Sequence, residues 1–213
     1  MRLFAAVQPP DGVLDEVALA VEALAPPGTD AAERAEAPAG ARAADITGGG
    51  FAPEGGHVPP GLRWSSPEEW HVTLVFLGEV ADDAVPAAAE RLAAETARHA
   101  PFDVAVRGAG TFPGDPARAS VLWAGLEGDV DELTLLADGL RRAARKAGVR
   151  VDRRPYAPHL TLARCRPPGD LGALRYTLGR LATAFWTVEE VRLMRSHHPR
   201  RPRYETLRTW RLG

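Results

Sequence analysis

The chain has 213 residues, 45% of them hydrophobic and 25% charged, with a formal net charge of −2. That length suits one large or two small domains and can bury a real core. No apolar run approaches the roughly 18 residues that span a bilayer, and the single cysteine, Cys165, rules out an intramolecular disulfide or a thiolate-rich metal site.

Arg2 to Val7 reads as a short apolar strand ended by Gln8-Pro9-Pro10, too soon for a signal peptide, so a cytoplasmic protein is expected. Asp11 is placed to cap a helix in which Val13, Leu14, Val17, Val21 and Leu24 recur at helical spacing, and Pro26-Pro27-Gly28 stops it. From Pro26 to Gly61 the chain turns to Ala, Gly and Pro with scattered charge. It reads as an insertion within one domain spanning 1–213, either a flexible segment or a lid over the site. Its glycines lack the Gly-Lys-Ser/Thr ending of a phosphate-binding loop.

Leu62-Arg63-Trp64 restarts ordered structure, and Ser66-Pro67-Glu68-Glu69 looks like a capped turn before a strand from about Trp70 to Leu77. Asp82 or Asp83 can then cap a helix carrying Val85, Ala89, Leu92 and Ala93. Phe102 to Val106 and Ser120 to Leu126 read as strands joined by a Gly- and Pro-rich turn around Gly110 to Pro116. Asp129 is positioned to cap a helix with Leu133, Leu136, Leu140 and Ala144 on one face, a basic cluster near its end and Gly148 after it. Another strand follows Pro158, then a short helix around Asp170 to Leu181. Two strands close the chain, Trp186 to Met194 and Tyr204 to Leu212, separated by a basic turn from Ser196 to Pro202.

Two of these strands carry the same pattern, His71-Val72-Thr73-Leu74 and His159-Leu160-Thr161-Leu162, 88 residues apart. Chance supplies roughly 0.04 such matches at this composition, so the pair is a signal. Side chains alternate along a strand, which puts His71 beside Thr73 and His159 beside Thr161, with Val72, Leu74 and Phe76, and Leu160 and Leu162, expected on the opposite, core face. Arg164 then faces away from His159 in a regular strand and reaches the same face only through a bulge. The strand and helix order around His71 is repeated around His159, which suggests an internal duplication: an α+β fold of two lobes, each a mainly antiparallel sheet with helices outside, facing across a cleft.

The other chemistry-bearing residues carry less. Cys165 reads as a buried or bystander thiol rather than a nucleophile, since no dedicated base accompanies it. His57, His99 and the pair His197-His198 sit in loop, helix-end and turn positions. Residues 1–140 hold 8 basic against 23 acidic side chains and residues 141–213 hold 18 against 5, so the C-terminal part offers either one wall of an anion site or a solvated basic face.

Two histidines across a cleft suit a reaction needing a general base and a general acid near neutrality, with threonine hydroxyls donating to anionic oxygens between them. Opening a cyclic phosphodiester meets this requirement. No acidic cluster with metal-binding spacing is evident, so neither a metal nor a cofactor is called for.

The stretches Trp70-HVTLVFLGEV and Tyr156-Ala-Pro-HLTLAR, with the opening Met1-Arg-Leu-Phe-Ala-Ala-Val and the terminal Leu193-x-x-Ser196 and Tyr204-x-x-Leu207, resemble the 2H phosphoesterase superfamily, specifically its RNA 2′,3′-cyclic phosphodiesterases, also called 2′-5′ RNA ligases. The likeness runs over most of the chain outside the insertion. It implies a bilobal, pseudo-symmetric α+β fold and hydrolysis of a terminal 2′,3′-cyclic phosphate to a 2′-phosphate. Carried over, His71 becomes the proton donor and His159 the proton acceptor, Thr73 and Thr161 bind phosphate, and Arg164, Tyr156 and Ser196 are further substrate candidates. The expected partners are RNA 3′ ends or small nucleotides carrying a cyclic phosphate, met by a monomer. The rival readings are a cyclic phosphodiesterase acting on a small nucleotide or a 2′-5′ linkage, and an RNA-end binding protein without turnover. Joining of ends through a 2′-5′ bond is the microscopic reverse of the hydrolysis, which dominates in water.

Overall fold

A computed structural model describes residues 1–24, 58–152, 154–197 and 202–213. Most of the insertion, together with His57, and His198 to Arg201 of the basic turn, lie outside the described residues.

The described chain forms nine strands and four helices: β1 (Arg2–Val7), α1 (Asp11–Glu22), β2 (Leu62–Trp64), β3 (Val72–Glu79), α2 (Val85–Thr96), β4 (Phe102–Phe112), β5 (Ala119–Gly128), α3 (Val130–Lys146), β6 (Leu160–Gly169), α4 (Gly172–Leu178), β7 (Trp186–Val188), β8 (Glu190–Ser196) and β9 (Tyr204–Arg211). Every pairing between them is antiparallel, in the order β7-β4-β5-β6-β3-β1-β8-β9, with β2 also paired to β6.

The path divides into two halves, joined between β3 and β6 by one register pair, Val72 opposite Leu160. These two residues hold the same place in their motifs, so a pseudo-twofold axis runs between them. The halves repeat a strand-helix-strand-helix-strand order and exchange their last strands. β4 leaves the first repeat to pair with β5, and β8 leaves the second to pair with β1. Each motif strand thereby lies at the inner edge of its own half.

One continuous core underlies both halves. Leu133, Leu136 and Leu140 line one face of α3 and are at most 1% exposed, as the period of 3.6 requires. Burial of each contributes about 2 kcal/mol. Leu74, Leu77, Leu160 and Leu162 meet that core from the motif strands. On the opposite face of β1, Phe4 and Ala6 form a smaller cluster with Met194, against which Tyr204 packs.

Several sequence expectations are shifted by local hydrogen bonding. Asp11 is the first helical residue rather than the cap, because Pro10 O already accepts from Val13 N and Leu14 N; its charge still lies in the first turn, where the helix dipole favours it. Neither Asp82 nor Asp83 caps α2, whose cap position is Ala84 with a proline in the first turn. Asp129 occupies the cap position of α3, but its carboxylate accepts from Asp103 N at 3.0 Å and ties β4 to the end of β5. β4 also runs through Gly110, expected to turn: a Cβ there would collide with the Trp123 ring on the neighbouring strand, so the glycine serves packing.

The largest correction concerns face. Phe76, expected in the core, is 58% exposed. On β3 the residues pairing with β1 run Thr73 with Ala6, then Val75 with Ala5, leaving Leu74 as an extra residue. On β6, Thr161 pairs with Trp123 and Ala163 with Leu122, leaving Leu162 extra. Each bulge points two consecutive residues inward, Leu74-Val75 and Leu162-Ala163, and inverts the alternation beyond it. Phe76 and Arg164 consequently come round to the face of Thr73 and Thr161.

Candidate active site

Both histidines sit one residue ahead of their strands and are held in the same way. His71 Nδ1 lies 2.8 Å from Glu69 O, and His159 Nδ1 lies 2.7 Å from Ala157 O. A carbonyl can only accept, so Nδ1 carries the proton in each ring and Nε2 is left as the working nitrogen. The turn from Pro67 to Glu69 sets this geometry at the first site, its backbone returning Trp70 N to Pro67 O at 3.1 Å.

Aromatic rings frame each imidazole. His71 lies 4.8 Å from Phe4 and 5.0 Å, edge to face, from Tyr204, between ring centroids. His159 lies 5.0 Å from Phe112, also edge to face, and 6.2 Å from Trp123. These rings fix orientation and remove water from one side of each histidine. Burial accordingly depresses the His71 pKa to about 4; the Glu69 carbonyl works against the shift, and His159 and Arg164 reinforce it. Burial also lowers His159, opposed by Ala157 O and assisted by Arg164.

The Coulombic influence of Arg164 on both imidazoles places its guanidinium near the pair, as the Leu162 bulge allows. Thr73 and Thr161 are half-buried on the same face, so the four motif side chains and Arg164 lie on one surface on either side of the pseudo-twofold axis.

The remaining candidates are placed differently. Tyr156 packs against the core with its hydroxyl buried and without a hydrogen-bond partner among the described residues, and Arg141 stacks over its ring at 5.6 Å. Burial raises its pKa. Ser196 ends β8, paired with Tyr204. Cys165 is buried, its thiol 3.2 Å from Pro167 O, and desolvation raises its pKa. His197 bonds Glu205 at 2.7 Å, and His99 lies 3.5 Å from Glu95. Among the described residues no three His, Cys, Asp or Glu side chains gather as a metal-ligand set.

Sequence reasoning missed the support around the first histidine. Arg203 reaches 3.1 Å to the Glu69 carboxylate, so the hairpin of β8 and β9 grips the residue whose carbonyl orients His71, while the next residue, Tyr204, packs on the imidazole. No local motif announces a contact between residues 134 apart. Beside this wall a cleft of about 570 Å³ opens, lined by Gln8, Glu68, Glu189, Glu190, Arg192 and Tyr204 among others. Neither histidine lines it, and its carboxylates make it a poor host for phosphate.

Residues 62–200 match the model of the 2′-5′ RNA ligase superfamily, and the chain belongs to that family. It is 36% identical over 151 residues to an RNA 2′,3′-cyclic phosphodiesterase of Geobacillus stearothermophilus, a match that covers 70% of this chain and 47% of that protein. A protein of the same name from Aeropyrum pernix is 33% identical over 155 residues, covering 71% of this chain and 86% of the relative. Among solved structures, a Thermus thermophilus protein superimposes with a TM-score of 0.69 at 25% identity, covering 99% of this chain and 97% of the other. E. coli LigT complexed with NADP+ superimposes at 0.64 and 25% identity, covering 100% and 98%. The fold is the bilobal α+β architecture of the 2H phosphoesterases.

Proposed function

We propose that this protein hydrolyses the 2′,3′-cyclic phosphate at an RNA 3′ end to a 2′-phosphate, with His159 as general base and His71 as general acid. The observation that carries the reading is the matched pair of imidazoles, each anchored at Nδ1 with Nε2 available. The names of the Geobacillus and Aeropyrum relatives support the substrate class. The acid and base roles follow what the family resemblance implies.

In this reaction His159 Nε2 takes a proton from water as the water oxygen bonds to phosphorus. The bond from phosphorus to the ribose 3′ oxygen breaks, and that oxygen takes the proton from His71 Nε2. The phosphate stays on the 2′ oxygen, and the Thr73 and Thr161 hydroxyls with Arg164 hold the nonbridging oxygens. Burial favours the neutral His71 ring; a phosphate anion beside it favours the imidazolium and loads the acid when substrate binds. No step is routed through a metal.

The test is incubation of EDTA-treated protein with a short RNA ending in 2′,3′-cyclic phosphate. A 2′-phosphate product is expected, with turnover reduced about 10²- to 10⁴-fold in both His71→Ala and His159→Ala. A 3′-phosphate product, or full activity in either variant, overturns the mechanism. A p-nitrophenyl phosphodiester of a nucleotide assigns the roles: its leaving group needs no protonation, so His71→Ala recovers activity on it and His159→Ala does not.

A further inference from the structure

Beyond Arg164, which the proposed hydrolysis uses, β6 carries a further positive charge that the hydrolysis does not use. Past the Leu162 bulge the strand alternates again: Arg164 and Arg166 are exposed, and Cys165 between them is buried in the core. Arg166 therefore continues the face of Thr161 and Arg164 away from the axis. Arg63 on β2 stands opposite Arg164 in register, so its side chain leaves the sheet on the same side. The backbone here is tightly held. Arg166 N donates to Gly61 O at 3.1 Å, and Gly61, at a φ of +84°, comes so close that a Cβ would strike the Arg166 carbonyl.

Among the described residues, neither Arg164 nor Arg166 has a salt bridge or a side-chain hydrogen bond. Arg203, also close to Arg164, is by contrast tied to Glu69. Partial desolvation of its guanidinium against the sheet lowers the Arg164 pKa, opposed by Tyr204 and Glu69 and assisted by the charges of Arg203 and Arg166. Two such cations on one strand face, neither in a salt bridge among the described residues, create a positive potential suited to an anion. Side chains two residues apart on a strand are about 7 Å apart, comparable with successive phosphates along an extended nucleic-acid strand. In the cleft on the other side the lining arginine, Arg192, is already held by Glu190 at 2.8 Å, with Glu189 beside it, so the favourable exit for a polyanion is along β6.

We propose that Arg166, beyond Arg164 on the same strand face, holds the internucleotide phosphate next to the cyclic end, making the preferred substrate an oligoribonucleotide rather than a mononucleotide. This rests on the cyclic phosphodiesterase reading and adds a second anion position to it.

The test compares kcat/KM at low salt for three substrates: a nucleoside 2′,3′-cyclic phosphate, a dinucleotide with the same cyclic end, and that dinucleotide with an uncharged methylphosphonate linkage. The charged dinucleotide is expected to be favoured over the mononucleotide by about three- to tenfold, mainly through KM, and the methylphosphonate to lose most of that gain. Arg166→Gln should bring the charged and uncharged dinucleotides close together, with added salt eroding the wild-type preference. Arg175→Gln on α4 serves as the control that leaves the ratio in place. Equal rates on charged and uncharged dinucleotides in the wild type, or an unchanged ratio in Arg166→Gln, overturn the inference while leaving the proposed reaction standing. Failure of the wild type to open any of the three overturns the reaction itself.

Discussion

At the scale of single residues the proposed reaction asks two buried imidazoles to carry charge during turnover. His71 gives the clearest expectation. Burial lowers its pKa to about 4, below the usual value near 6.5, so the unfolded chain binds the proton more tightly than the folded one. Its contribution to stability is complete above pH 6.5 and is lost as pH falls toward 4, about 2 kcal/mol by pH 5. Urea denaturation at pH 7 and pH 5 should show this loss in the wild type and a smaller one in His71→Gln. In an NMR titration the His71 ring should stay neutral down to about pH 4 in the free protein and titrate at higher pH when inorganic phosphate is added. A His71 signal that titrates near 6.5 without ligand contradicts this account of the buried ring.

At the scale of elements, the strands are legible where apolar and polar residues alternate, and they mislead where the alternation breaks. β1 agrees with its sequence reading to the residue, whereas both histidines, read as strand residues, stand one residue ahead of β3 and β6. The bulges are harder to see. Leu74-Val75 and Leu162-Ala163 are the visible break in period, yet an apolar Phe76 after Val75 looks like a return to the core. Only strand register shows it on the cleft face with Arg164. The hairpin of β8 and β9 is hidden for another reason: its grip on the first motif is an ion pair between residues distant in sequence. Arg203 and Glu69 are 34% and 16% exposed, so removing the arginine leaves a largely buried carboxylate without its partner. We expect Arg203→Met to loosen the turn that presents Glu69 O to His71, lowering kcat about tenfold with little change in KM, and Arg203→Lys to restore part of it. Equal kcat in Arg203→Met and the wild type shows that the hairpin does not position the histidine.

At the scale of the whole molecule, the pseudo-twofold axis between Val72 and Leu160 makes the candidate site a joint product of two halves that share a core and pair through β3 and β6. An anion on the axis has one threonine on each side, and neither half can supply the set alone. Binding to the folded state alone stabilises it by about 2.7 kcal/mol at a hundred times Kd, equivalent to roughly 5 to 10 °C in Tm for a chain of this size. We therefore expect a nucleoside 2′-phosphate to raise Tm in the wild type, and Thr73→Val and Thr161→Val each to reduce that rise. Each variant replaces a half-buried hydroxyl by a methyl group of similar shape, so the unliganded Tm should move little, and loss of the shift then reports lost phosphate contact. The alternative is an anion bound to one lobe only, drawn by Arg164 and the basic face of β6. In that case Thr161→Val abolishes the shift and Thr73→Val leaves it whole. The asymmetry of the two responses therefore distinguishes a phosphate on the axis from one displaced onto β6, and only the first lies within reach of both imidazoles.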